Sequence, residues 1–281
     1  MDTRSTRDVF AVAPAYEAYI GRWSRPVAME FVRWLAVPPG RRWLDVGCGT
    51  GALTEVLVET GGAASVVGVE PSVGFVEYAR SRRFGDAEVT FWVGDAQSLP
   101  VESGSFDAVV SGLVLNFVPD HARMVSEMVR AARPGSPIGL YVWDASGGME
   151  LLARFWEAVR RIDPSSERMD EATRFRDICA PGPLAALAAG AGLDEIATRA
   201  IDVPTSFRDF DDLWTPFLGG QGPAPAYLAS LTEARRGAVR EALRSILPVK
   251  PDGSIHLHAR AWAMRGRTPR RIVGRSADAT A

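Results

Sequence analysis

From Arg42 onward, short apolar runs alternate with stretches in which apolar residues recur every three or four positions. Trp43-Leu44-Asp45-Val46-Gly47 predicts a strand and a glycine turn, and Leu53, Val56 and Leu57 place a helix behind them. Residues 65–69 read as a second buried strand, 73–82 as a helix, 89–93 as a third strand and 106–114 as a fourth. Met124, Val125, Met128 and Val129 share one helix face, which ends near Arg133-Pro134-Gly135 and leads into a fifth strand over 138–143. Strands alternating with helices of this length predict an α/β fold, a mostly parallel sheet with helices on both faces.

After Asp144 the rhythm changes. Leu152, Phe155, Trp156 and Val159 mark a helix face, 163–183 is irregular, and 184–190 is rich in alanine. Residues 196–203 predict a sixth strand, and 204–253 a block outside the core, with a proline- and glycine-rich turn at 219–225. A helix from Thr232 carries Val239, Leu243, Ile246 and Leu247, with Ser230 and Glu233 expected as its capping box. Residues 255–264 alternate as the last of seven strands. The expected organisation is one domain over 1–266: an N-terminal cover (1–40), a core (41–145), cap insertions (146–195 and 204–253) and a last strand (254–266). The arginine- and small-residue-rich tail, 267–281, is expected to be disordered.

The densest chemistry lies at 44–52, Leu-Asp-Val-Gly-Cys-Gly-Thr-Gly-Ala. Glycine at every second position between strand and helix lets backbone approach a ligand, and the following helix start favours a carboxylate by about 0.3–1 kcal/mol. Gly47, Gly49 and Ala52 also satisfy the looser dinucleotide fingerprint, and Glu70, about twenty residues on, suits a ribose diol in either kind of nucleoside ligand. Asp95, closing the third strand, separates the two readings, because an acceptor there suits an adenine amino group laid across the strand ends.

These residues resemble the class I S-adenosylmethionine-dependent methyltransferases, and among them the group related to ubiquinone and menaquinone biosynthesis enzymes. The resemblance rests on residues 44–52, Val69-Glu70-Pro71-Ser72, Gly94-Asp95-Ala96 with Leu99-Pro100, Phe106-Asp107-Ala108-Val109-Val110 leading to Leu115-Asn116-Phe117, and Arg133-Pro134-Gly135. It implies a Rossmann-like seven-stranded sheet and S-adenosylmethionine as cofactor. It further implies that Asp45, Gly47 and Gly49, with Cys48 between them, surround the methionine end, and that Glu70, followed by Pro71, holds the ribose. Asp95, with the Ala96 amide and neighbouring Gln97, would take the adenine, the Leu113 backbone would accept from the ammonium group, and Phe117 would wall the site. Asn116-Phe117 stands where many relatives carry a histidine pair.

Upstream, Tyr16, Tyr19, Arg22, Trp23 and Arg25 form an aromatic and basic cluster in a segment that relatives fold over the cofactor. Arg22 or Arg25 would pair the cofactor carboxylate, and Tyr19 or Trp23 would face the sulfonium, where a cation over a ring gains about 0.5–2 kcal/mol. Asp144, ending the fifth strand, is the one candidate base, with loop capping as its competing role. His121 reads as a surface residue at a helix start, and His256 and His258 as ordinary strand positions. Phe155, Trp156, Trp214, Phe217 and Tyr227 either line an apolar acceptor pocket or knit the cap to the core.

Composition narrows the choice. Thirty-two basic against 34 acidic residues leave a net charge of -2, which offers no electrostatic footprint for nucleic acid or an anionic membrane. No apolar run is long enough to span a bilayer, residues 1–25 lack a signal-peptide core, and two cysteines make no disulfide framework, so a cytoplasmic location is expected. No three ligands stand at metal spacing, so no metal is expected. The expected function is methyl transfer to a small, partly apolar or aromatic acceptor. An NAD-dependent oxidoreductase and a non-catalytic S-adenosylmethionine-binding protein are the alternatives.

Overall fold

The computed structural model describes residues 21–175, 177–219 and 222–270. Seven strands form one sheet: β1 (Arg42–Val46), β2 (Ser65–Glu70), β3 (Glu88–Val93), β4 (Ala108–Gly112), β5 (Pro137–Trp143), β6 (Asp194–Phe207) and β7 (Ile255–Arg267). Their order is β3-β2-β1-β4-β5-β7-β6. β1 to β5 pair in parallel, whereas β7 runs antiparallel to both β5 and β6. The chain therefore steps outward from β1 through β2 to β3, then crosses to the other side of β1 to lay down β4. Sheets of this kind bind ligands where that reversal opens a crevice at the carboxyl ends of the strands.

Period-two alternation sends side chains to two cores. On β1, Trp43 enters the core under α1 (Arg22–Leu35), while Leu44 and Val46 enter the other, shared with Met124 and Met128 of α4 (His121–Ala131). α2 (Ala52–Glu59) and α3 (Val73–Ser81) follow β1 and β2, and α7 (Pro181–Gly190) packs on β6 and β7. On β7, Ala259, Ala261 and Ala263 are fully buried on one face, and these small side chains leave room for α1 and for α5 (Glu150–Ile162).

Several expected boundaries are corrected. β6 runs from Asp194 through Phe207, so the second cap block starts after Phe207 rather than at residue 204. The alanine-rich segment is α7, which covers the sheet and belongs to the core layer instead of the cap. The irregular stretch holds a 3₁₀ turn (Pro164–Met169) and a short α6 (Glu171–Arg174). β7 extends to Arg267, and buried Thr268 donates to the Arg133 carbonyl at 2.6 Å, so 267 and 268 do not belong to a loose tail.

The cap consists of α5, α6, α8 (Phe210–Trp214), a 3₁₀ turn (Thr215–Gly219), α9 (Pro223–Ser230) and α10 (Glu233–Ile246). α9 begins inside the expected proline- and glycine-rich turn because Pro223 occupies its first turn, where a missing N–H costs nothing. Ser230 does not cap α10. Its hydroxyl donates to the Tyr227 carbonyl, and Thr232 caps instead, accepting from the Arg235 amide. Thr232→Ala is therefore expected to lower stability by about 1 kcal/mol in urea denaturation, whereas Ser230→Ala should change it little.

The cap aromatics settle as core. Phe155 stacks on Phe217 with centroids 4.7 Å apart, Trp156 meets Phe155 edge-on, and Trp214 is tilted against Phe217. All four are buried in the same cluster as the inner face of β7. Tyr227, partly buried beside Trp156, donates its hydroxyl to Asp163 at 2.9 Å. These five knit cap to sheet.

Candidate functional site

The 47–51 loop turns from β1 into α2 through three left-handed residues, with φ of +73° at Gly47, +53° at Gly49 and +88° at Gly51. The Gly47 and Cys48 amides donate to the Val69 carbonyl, which fastens the loop over β2. A Cβ at Gly47 would stand 2.4 Å from a Val114 methyl, whereas one at Gly49 would meet nothing within 4 Å. The first glycine is thus required by packing, and the second faces open space. Cys48 turns its thiol into a small core with Phe91, where burial foremost, then Asp45 and Glu70, push its pKa well up.

Asp45 is fully buried beneath this loop. Its Oδ2 accepts from the Thr54 hydroxyl of α2 at 2.7 Å, and its Oδ1 has no partner. Burial, reinforced by the Glu70 carboxylate and only partly offset by Thr54, raises its pKa to about 7. Glu70 closes β2 and accepts from the Ser72 amide at 3.0 Å and the Gly49 amide at 3.2 Å; burial still leaves its pKa raised. Pro71 is exposed between Glu70 and Ser72, and Ser72 caps α3.

Asp95 is exposed after β3, accepting from the Gln97 amide at 2.8 Å, and Ala96 beside it is buried. Gln97 also accepts from the Asp120 amide, which ties this loop to the start of α4. Leu113, just past β4, holds φ of +63°, an unusual conformation for a non-glycine residue. Its amide donates to the Tyr141 carbonyl at 2.8 Å. Val114, the neighbour of Leu113, is the residue that touches Gly47, so the end of β4 and the glycine loop abut.

An apolar cavity of about 220 Å³ opens from this junction, between Leu113, Phe117, Trp143, Met149, Phe175 and Cys179. Phe117 is half exposed and meets Phe175 edge-on at 5.8 Å. Of these wall residues, Met149, Phe175 and Cys179 are not legible as site residues in the sequence. Phe175 and Cys179 lie in the stretch without periodicity, and the Cys179 thiol, raised to about 12 by burial and by Asp144, is a buried apolar surface rather than a nucleophile.

The other expected site residues are engaged within the protein. Asp144 does not line this cavity: its Oδ1 accepts from the Ser146 amide at 2.9 Å and the Ser146 hydroxyl, so it caps the 144–148 loop and borders a separate polar hollow with Glu150, Asp202 and Arg260. Arg22 pairs with Asp212 of α8 at 3.2 Å and lies over the rings of Trp23 and Phe207, and Trp23 is buried edge-on to Phe207. Both residues join α1 to the cap, while Arg22 Nε and Nη2 and Trp23 Nε1 are buried without a hydrogen-bond partner. Arg25 is engaged by Glu55 and Glu59 of α2. Tyr16 and Tyr19 lie outside the described residues.

His121 begins α4, and His256 and His258 are exposed on β7, with Ser206 3.3 Å from the His256 ring. Among the described residues no helix is long and apolar enough to cross a membrane.

Residues 44–139 match the model of a family described as a methyltransferase domain. The ubiquinone biosynthesis O-methyltransferase of Xanthomonas axonopodis is 30% identical over 170 residues, 60% of this chain and 69% of that protein. An uncharacterized methyltransferase of Mycobacterium tuberculosis is 38% identical over 130 residues, 46% of this chain, and the match spans only about half of that relative's length, 49%. In fold, the phosphoethanolamine N-methyltransferase 2 of Haemonchus contortus, solved with S-adenosylhomocysteine, superposes with a TM-score of 0.58 at 19% identity over 94% of this chain and 60% of that one. The sheet order, the glycine loop with its carboxylates and these matches converge, and the dehydrogenase alternative falls with them: the chain belongs to the S-adenosylmethionine-dependent methyltransferase family.

Proposed function

We propose that this protein transfers the methyl group of S-adenosylmethionine to a small, largely apolar acceptor held in the Phe117–Phe175 cavity. The observation that carries this reading is the junction itself. The glycine loop touches Val114, and the cavity begins at Leu113, one residue away. The cofactor reading is supported by an unpartnered buried oxygen, Asp45 Oδ1, and by the open space over Gly49. An ammonium group on Asp45 would satisfy that oxygen, and a ligand lying over Gly49 would meet no side chain. Glu70 would turn from the Gly49 amide to a ribose diol, Asp95 and the Ala96 amide would read the adenine edge, and the Leu113 carbonyl would accept from the ammonium.

When bound, S-adenosylmethionine supplies a methyl carbon activated by a sulfonium. The residues around it hold the acceptor in line with that carbon and exclude water, the main sources of rate in such a displacement. Among the described residues no histidine lines the cavity, and the lining carboxylate, Asp170, already accepts from Arg160 and from the Ala172 amide. What the described wall contributes is therefore positioning of the acceptor.

Calorimetric titration with S-adenosylmethionine tests the reading, and absence of heat would overturn it. Glu70→Ala and Asp95→Ala are each expected to weaken binding at least tenfold, equivalent to about 1.4 kcal/mol. Binding without turnover across a panel of small acceptors would instead favour a non-catalytic cofactor-binding protein.

A further inference from the structure

The polar groups on the cavity wall are few and unequal. Among the described residues, Arg160 of α5 is the one cationic residue lining it and Asp170 the one anionic residue. Asp170 is largely engaged and enclosed: one carboxylate oxygen accepts from Arg160 Nη1 and the other from the Ala172 amide at 2.9 Å. Arg160 is not. A guanidinium has five N–H donors, and a single hydrogen bond, through Nη1, engages this one, whose side chain remains 40% exposed while that of Asp170 is 11% exposed. The ion pair thus tethers the guanidinium and leaves the cavity richer in free donors than in free acceptors. The rest of the wall, Phe117, Trp143, Met149 and Phe175, selects a flat apolar body.

We propose that the acceptor is an apolar, aromatic-sized molecule carrying a carboxylate or similar oxyanion, which Arg160 receives at one end while the other end is held toward Leu113. This deepens the proposed function and rests on its assignment of the cavity as the acceptor site. An oxyanion matches guanidinium geometry and charge together, whereas an ammonium group would find Asp170 already neutralised by its ion pair and mostly enclosed, with Arg160 opposing it. The remaining cavity amide, Asn116, serves a neutral group equally well and so does not decide the charge.

Two fluorescent probes that differ by one anion test this: 1-anilinonaphthalene-8-sulfonate and its uncharged counterpart N-phenyl-1-naphthylamine, titrated into the full-length protein. The wild type is expected to bind both, and Ala153→Trp, which fills the cavity, to lose both. Arg160→Gln should weaken the sulfonate at least tenfold and leave the neutral probe within twofold, while Arg160→Lys should retain an intermediate preference. On the unaltered protein, 1-naphthoate should displace the neutral probe at concentrations at least tenfold lower than 1-naphthamide, a comparison that needs no variant to fold. Equal competition by acid and amide, sulfonate affinity indifferent to Arg160, or probe binding that survives Ala153→Trp would each overturn the proposal. Calorimetry with S-adenosylmethionine on the same preparation reads the other assignment separately. Loss of that heat with probe selectivity intact would reject methyl transfer and leave an anion-selecting cavity.

Discussion

Gly47→Ala and Gly49→Ala are expected to fail in different ways. At Gly47 the new Cβ meets Val114 at 2.4 Å, and the residue must still hold φ of +73°. Left-handed backbone costs roughly 1–2 kcal/mol for an L-residue, and overpacking costs roughly 1–3 kcal/mol more. Gly47→Ala should therefore lose about 2–5 kcal/mol of stability in urea denaturation and bind S-adenosylmethionine more than a hundredfold more weakly, because the loop that fastens on Val69 is displaced. At Gly49 the strain is similar but the space is empty, with φ of +53° and no atom within 4 Å. Gly49→Ala should unfold within about 1–2 kcal/mol of wild type, yet lose at least tenfold in cofactor affinity. Unchanged affinity in Gly49→Ala would mean that the open space over this glycine is not where the ligand lies.

The second large effect concerns Asp45, and its sign runs against intuition. In the folded protein this carboxyl keeps its proton to about pH 7, because burial foremost, and Glu70 after it, disfavour the anion. In the unfolded chain it ionises near pH 4. Between those values the folded form binds the extra proton, so the stability present below pH 4 is lost progressively as the pH rises to 7, a cost of up to roughly 4 kcal/mol in the unliganded protein. Asp45→Asn removes that cost but leaves an amide N–H₂ unpaired, worth about 1–3 kcal/mol against it. The variant is therefore expected to be more stable than wild type at pH 8 by about 1–3 kcal/mol, raising Tm by roughly 2–10 °C, and to lose that advantage at pH 5. Cofactor affinity should move the other way. In the wild type it should strengthen between pH 6 and pH 8 as Asp45 ionises to meet an ammonium group, and Asp45→Asn should abolish both the affinity and its pH dependence. Thermal melts and calorimetry at pH 5, 6 and 8 check all three statements.

What could be read from the chain divides along the range of the physical constraint. Gly47, Gly49 and Glu70 were legible because their demands are local: a left-handed turn directly after a strand, and a carboxylate at the end of the next one. Arg22 was not, since its partner Asp212 lies 190 residues away and no short spacing carries that information. Asp144 sits where a base would be useful, and the Ser146 amide two residues on engages one oxygen of its carboxylate, a local cap that the strand-end position alone does not reveal. Phe175 and Cys179 come from a segment without periodicity, so nothing in its pattern marks them as walls. The aromatics that do stand at helical spacing, Phe155 and Trp156, went to the core for the same reason they were conspicuous.

The antiparallel placement of β7 carries a further consequence. β6 runs parallel to β5, so Phe207 and Ile255, its register partner on β7, lie at the same end of the sheet as Trp143. Everything inserted between them, from Arg208 to Ser254, must leave the sheet on the ligand side and return there. The β6–β7 connection is thus a hairpin loop enlarged into a roof, and closing such a loop grows costlier only logarithmically with its length. The long ladder that links β7 to β6 holds the register whatever that loop contains. Gly222 and Pro223 of this excursion reach the cavity, so exchanging it can reshape that edge of the wall while the glycine loop, its carboxylates and Arg160 are left untouched.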